Sequence, residues 1–175
     1  MDGGLINAAI AIAVLGIGGY AIMRWIKHLS EQADGAGERE VQKCLASGDK
    51  LGAARAAQKH DMWDRAGALF KDADRLGDAA RAYKKGQSWE NAATTFAELK
   101  DYESAAWCYR KLNNDRGELD MLKKGARWLD AARLALKAGR SVEAAELLVK
   151  AGEREKAAEL FRQAGEQQRA MALAA

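Results

Sequence analysis

A period of thirteen residues constrains this chain more than any single motif in it. From residue 36 the sequence stacks without gaps into eleven blocks, beginning AGEREVQKCLASG and DKLGAARAAQKHD and ending EREKAAELFRQAG and the shorter EQQRAMALAA. The fifth position is Ala in nine blocks (Ala53, Ala66, Ala79, Ala92, Ala105, Ala131, Ala144, Ala157, Ala170), with Glu40 and Glu118 as the exceptions. The ninth is usually large and apolar: Phe70, Tyr83, Phe96, Tyr109, Leu122, Leu148 and Phe161. With the second, eighth and twelfth positions these are expected to share one buried stripe of a helix of 3.6-residue period.

One continuous helix is excluded. Thirteen residues at 100° each overshoot three turns by roughly 220°, which would carry the stripe to the opposite face at every block. A turn must therefore separate the blocks, and Gly48, Gly139, Gly152 and Gly165 stand where a left-handed residue would end a helix. Each unit is then a helix of about ten residues, too short to persist alone in water and dependent on stacking against its neighbours. Acids such as Asp64, Asp78, Glu103 and Asp130 fall near the predicted helix starts, and bases such as Lys71, Lys84, Lys111, Lys137 and Arg162 near the ends. That distribution complements the helix dipoles and needs no binding function.

Blocks such as AAELLVKAGEREKAAELFRQAG resemble the TPR-like α-solenoid repeats of soluble NSF-attachment proteins and of coat and ciliary-transport subunits, which share an AA-x-L-(F/Y)-x-x-A-G signature. The resemblance covers residues 36–175 and implies a right-handed-type α-solenoid that serves as a scaffold for other proteins. A helix pair here takes 26 residues, whereas the standard tetratricopeptide unit takes 34. The shorter helices separate this chain from that family's peptide-holding groove.

The residues before the repeats differ in composition. Leu5 to Met23 is a run of 19 residues without a charge, which as a helix would span about 28 Å. It reads as a single N-terminal transmembrane helix, with Trp25 at interface depth beside Arg24 and Lys27. A cleaved signal peptide would carry its bases before the apolar run, whereas here Asp2 precedes it and the bases follow. The same bias predicts the N-terminus outside and the repeats in the cytoplasm. Within the span, GIGGY lacks the lysine and the strand-to-helix setting of a phosphate loop. Ala9, Ala13, Gly16 and Gly19 instead form a small-residue seam that either packs on another membrane helix or reflects the ordinary composition of such spans. The expected organisation is an anchor and its flank at 1–29, a linker at 30–35 and the repeats at 36–175, with no room for a second folded domain.

The repeats carry 26 basic and 22 acidic residues with the signs interspersed, which is not a nucleic-acid footprint. Two cysteines and two histidines make no convincing metal site or nucleophile. Cys44 and Cys108 occupy core-facing positions as small hydrophobes. No cofactor, metal or catalytic residue is expected, and the chain is not read as an enzyme. Trp63, Trp89, Tyr102 and Trp128 recur at the second position and are expected to pack across the turn onto the preceding helix. Trp107 stands at the outward seventh position, a candidate partner-binding residue unless it folds back over a neighbouring helix. In the last block Met171 and Leu173 sit among alanines, so residues 166–175 are expected either to dock on a partner or a second copy, or to fray. The partners implied are other proteins, membrane-associated, with homo-oligomerisation possible. The functional expectation is a membrane-anchored adaptor or scaffold; the alternative is a constitutive subunit of a larger membrane complex.

Overall fold

The computed structural model describes residues 35–174. They form eleven short consecutive helices, with no strand among the described residues, consistent with a helical-repeat solenoid. The first, α1, is described over 35–46. Then come α2 (Lys50–Lys59), α3 (Trp63–Asp72), α4 (Leu76–Lys85), α5 (Trp89–Glu98), α6 (Tyr102–Lys111), α7 (Asp115–Lys124), α8 (Trp128–Lys137), α9 (Ser141–Lys150), α10 (Arg154–Gln163) and α11 (Gln167–Ala174). Every helix from α2 to α10 is ten residues long. The expected transmembrane segment and its seam lie outside the described residues. No helix among the described residues is long and apolar enough to cross a membrane.

The period has a local cause. The thirteenth residue of every complete block has a positive φ: Gly48, Gly139, Gly152 and Gly165 as expected, but equally Asp61, Asp74, Gln87, Lys100, Asn113 and Ala126. Beside each, the N–H of the next block's first residue donates to the carbonyl of the preceding ninth residue, as in Arg75 to Phe70, Arg127 to Leu122 and Glu166 to Phe161, each 2.8 Å. The N–H of the thirteenth residue donates to the carbonyl of the tenth, as in Gly152 to Val149 at 3.0 Å. These two bonds are the Schellman closure of a helix C-terminus. The residue donating that closure's outer bond is also the next N-cap. N-cap chemistry varies: Asp49, Asp101 and Asn114 accept from the backbone three residues on, while Arg75, Ser88, Arg127, Arg140 and Glu153 make no such bond. The constant C-terminal closure, with ten helical residues and three in the turn, therefore sets the thirteen-residue repeat.

The described residues fall into two compact units, one holding α1 and α2 and the other spanning Trp63–Ala175. In the first, the Glu40 carboxylate accepts from Lys59 at 3.0 Å and faces His60 at 2.8 Å. In the second, each helix packs on the next, and side chains also reach the next but one. Lys71 of α3 meets Glu98 of α5 at 2.6 Å, and Arg169 of α11 meets Glu146 of α9 at 2.7 Å.

Contacts on both sides broaden the buried stripe. The fifth-position alanines have essentially no exposed surface, and the sixth position is buried as well, as at Ala80, Ala93, Ala132, Ala145 and Ala158. With the eighth and ninth positions they subtend about 160° of the helix. Each buried ninth-position aromatic or leucine contributes about 2 kcal/mol by leaving water. The twelfth position does not belong to the stripe as expected. Leu99 and Leu112 are 41% and 40% exposed, because the helix has ended at the eleventh residue and the turn swings the twelfth outward.

The second-position aromatics make contacts that run forward along the stack. A methyl group on Gly86, after α4, would meet the Trp63 Cβ at 2.6 Å, and one on Gly125, after α7, would meet the Tyr102 Cβ at 3.1 Å. Lys85 and Lys150 place their ammonium groups 4.0 and 5.2 Å from the rings of Trp63 and Trp128. The end of the following helix thus covers the aromatic that starts the one before it.

Candidate functional site

Block seven breaks the pattern where the others are most regular. Its fifth residue is Glu118 in place of Ala, and it is the one charged residue buried among the described residues, 5% exposed. The carboxylate lies in the first turn of α7, where the helix dipole favours it. Arg110, at the end of α6, donates through Nε at 2.7 Å and through a terminal nitrogen at 2.6 Å to the same oxygen. That bond, outweighing burial, holds the Arg110 guanidinium's pKa above its ordinary value. The preceding residue, Gly117, leaves space for the Tyr109 ring, which a methyl group there would meet at 2.5 Å. Within Trp63–Ala175, α7 and α8 are the least closely packed consecutive pair.

The looser seam opens a cleft of about 230 Å³ among α6, α7 and α8, lined by Glu103, Trp107, Arg110, Leu122, Arg127 and Asp130. Arg127, the N-cap of α8, bridges to Glu103 at 2.8 Å and to Asp130 at 2.7 Å. Those two carboxylates, Glu103 first, raise its pKa. Asp130 also accepts from Arg133 at 2.9 Å. A second opening shares Arg110, Leu122 and Asp130 and continues to Arg133 and Lys137, so a charged groove crosses all three helices.

Trp107 stands at the edge of this groove, half-buried on α6. It is not the lone exposed ring that its seventh-position placement suggests. Its ring meets Trp89 of α5 edge to face, centroids 5.4 Å apart and planes at 79°. Lys84 of α4 and Lys111 of α6 place their ammonium groups 4.6 and 5.1 Å from its centroid. No protein-family model matches the chain. No curated protein matches it.

The other candidate residues lie apart from this cleft. Leu173 of α11 packs on the cluster of Ala145, Phe161 and Ala170, whereas Met171 points outward and is 66% exposed. The last block therefore forms a helix seated on α10, with the large apolar side chain of Met171 left on its outer surface. Ala9, Ala13, Gly16 and Gly19 lie outside the described residues. Cys108 is fully buried and burial raises its thiol pKa, in keeping with a small hydrophobe; Cys44 is partly buried.

Residue-type reasoning missed the partners of Trp107 and the Arg110–Glu118 pair. A signal for the pair was present in the repeat: the two blocks without Ala at position five both carry Glu, and each Glu has a basic partner, Lys59 and His60 for Glu40 and Arg110 for Glu118. Lys84 carries no comparable mark, because a base near a helix end is what the dipole alone would place there.

Proposed function

We propose that the chain is a helical-repeat scaffold that binds other proteins at a cytoplasmic membrane face, held there by the apolar run from Leu5 to Met23 as a single-pass anchor with its N-terminus outside. The reading includes no catalytic step and no cofactor. The observation that carries it is Trp107 beside the α6–α8 cleft. Equivalent positions in other helices hold exposed side chains such as Arg81, Thr94, Arg133 and Glu146, so the stack does not need an aromatic there. Large aromatics at the edge of a polar groove are typical anchors of protein interfaces.

The test is purification of the tagged full-length protein from its native membranes in mild detergent, followed by native mass measurement. A partner held in stoichiometric amount by the wild type and lost from Trp107→Ala, with the melting temperature unchanged, is the expected result. Recovery of the wild type alone would sink the scaffold reading. A second reading, a permanent subunit of a larger complex, is favoured by the outward Met171 on the last helix. It predicts a fixed complex that survives Trp107→Ala and dissociates on Met171→Glu.

A further inference from the structure

The charges around Trp107 are not equivalent. Arg110, Arg127 and Arg133 each already bond to a carboxylate of the stack. Lys84 and Lys111 do not: among the described residues, neither is paired with a carboxylate, and each holds its ammonium group near the Trp107 ring. They come from helices two apart, α4 and α6, and both point at one indole. Two ammonium groups held about one ring repel each other, and a ring face offsets this only weakly at an exposed site. A carboxylate beside either ammonium would offset the repulsion and gain charge-assisted hydrogen bonds. The exposed part of the indole, backed edge-on by Trp89, offers a rigid apolar surface next to them.

We infer that the surface formed by Lys84, Trp107 and Lys111 binds an acidic peptide segment of a partner, carboxylates against the two lysines and an apolar side chain on the indole. This rests on the reading of the chain as a protein-binding scaffold and adds the chemistry of what is bound. The preference for an acidic segment follows from charge complementarity. The three arginines nearby are paired with carboxylates within the fold, whereas the two lysines beside Trp107 are left to recruit an anion, and recruitment should weaken with salt.

The probe is a short fluorescein-labelled peptide in which glutamates flank a Leu-Phe pair, titrated with the full-length protein and followed by anisotropy. Its counterpart has lysine in place of each glutamate, and vesicles of phosphatidylcholine with phosphatidylserine serve as a third probe in a sedimentation assay. The glutamate peptide should bind, with affinity falling as salt rises, and the lysine peptide should not. The combined Lys84→Gln and Lys111→Gln variant should weaken binding about tenfold, the size expected for losing two charge-assisted contacts. Trp107→Ala should do the same, and Lys43→Gln, on α1, should change nothing. The glutamine substitutions touch exposed lysines, and an unchanged melting curve separates loss of the site from loss of the fold. Equal binding of both peptides, no binding of the glutamate peptide, or a double variant that binds as well as the wild type would each overturn the assignment. So would Trp107-dependent sedimentation with vesicles in place of peptide binding, which would make a membrane the occupant. Native partners retained equally by the wild type and the double variant would remove this site and leave the scaffold intact; the absence of any partner on the wild type would remove the scaffold reading itself.

Discussion

Replacing Ala126 by Gly should stabilise the junction between α7 and α8, against the usual cost of adding glycine. Ala126 has φ +53°, a left-handed conformation that costs an L-residue about 1–2 kcal/mol through the clash of its Cβ with the following carbonyl. Glycine removes that clash but loses about 0.5–1 kcal/mol more conformational entropy on folding. The net gain is about 0.5–1 kcal/mol. The reciprocal change, Gly152→Ala at φ +81°, should cost about 1 kcal/mol, with no compensating contact, since nothing lies within 4 Å of a Cβ placed there. The local reporter is the Arg127 amide, which closes the turn on the Leu122 carbonyl at 2.8 Å. Its hydrogen exchange should slow about two- to fivefold in Ala126→Gly, as that gain implies. Local exchange is the better measurement, because a stack of repeats need not unfold in one step. Unchanged or faster exchange in Ala126→Gly, together with a neutral Gly152→Ala, would refute the view that the left-handed thirteenth residue limits the stability of each turn.

Ala105→Leu should destabilise by about 1–3 kcal/mol through overpacking at a fully buried site, while Ala68→Leu, on the exposed seventh position of α3, should change the melt little; equal effects in thermal denaturation would shift the phase of the repeat. The Arg110–Glu118 pair should be asymmetric, because the arginine side chain is 62% exposed and the glutamate 6%. Arg110→Ala strands a buried carboxylate and should cost about 2 kcal/mol, whereas Glu118→Ala restores the common fifth residue and should be neutral or stabilising by denaturant unfolding. The Glu143 pKa lies below its usual 4.5, first through the bond from Lys123. A carboxylate whose pKa is lowered by folding contributes stability that is complete above its unfolded pKa and is lost as pH falls through the folded value. Melting temperatures measured downward from about pH 5 should therefore fall less steeply in Glu143→Gln than in the wild type.

The repeat could be read from the sequence because its cause is local. Each turn is closed by bonds between residues four or fewer apart in the chain, or five in the case of the outer closure, so ten helical residues and three turn residues recur as a visible period. The phase followed from the same pattern: a buried fifth-position alanine and an outward seventh residue, as at Ala105 and Trp107. Four of the left-handed residues were marked by glycine, and Asp61, Asp74 and Asn113 are types that tolerate that conformation, but Gln87, Lys100 and Ala126 carry no such preference and have it imposed by the closure.

Tertiary structure decided what lies between helices. It buried the sixth position and turned Leu99 and Leu112 outward, because a helix with neighbours on two sides needs a broader apolar face than one stripe and the turn breaks the helical phase at the twelfth residue. It also sent the second-position aromatics forward under the end of the following helix, as with Trp63 beneath Gly86. Lys84 reaches Trp107 because the stacking of successive helices brings the end of α4 within a lysine's reach of α6, and that separation of 23 residues leaves no local pattern to read. The turn is specified by bonds that each block makes for itself, whereas the surface around Trp107 depends on how one helix is set against the next but one.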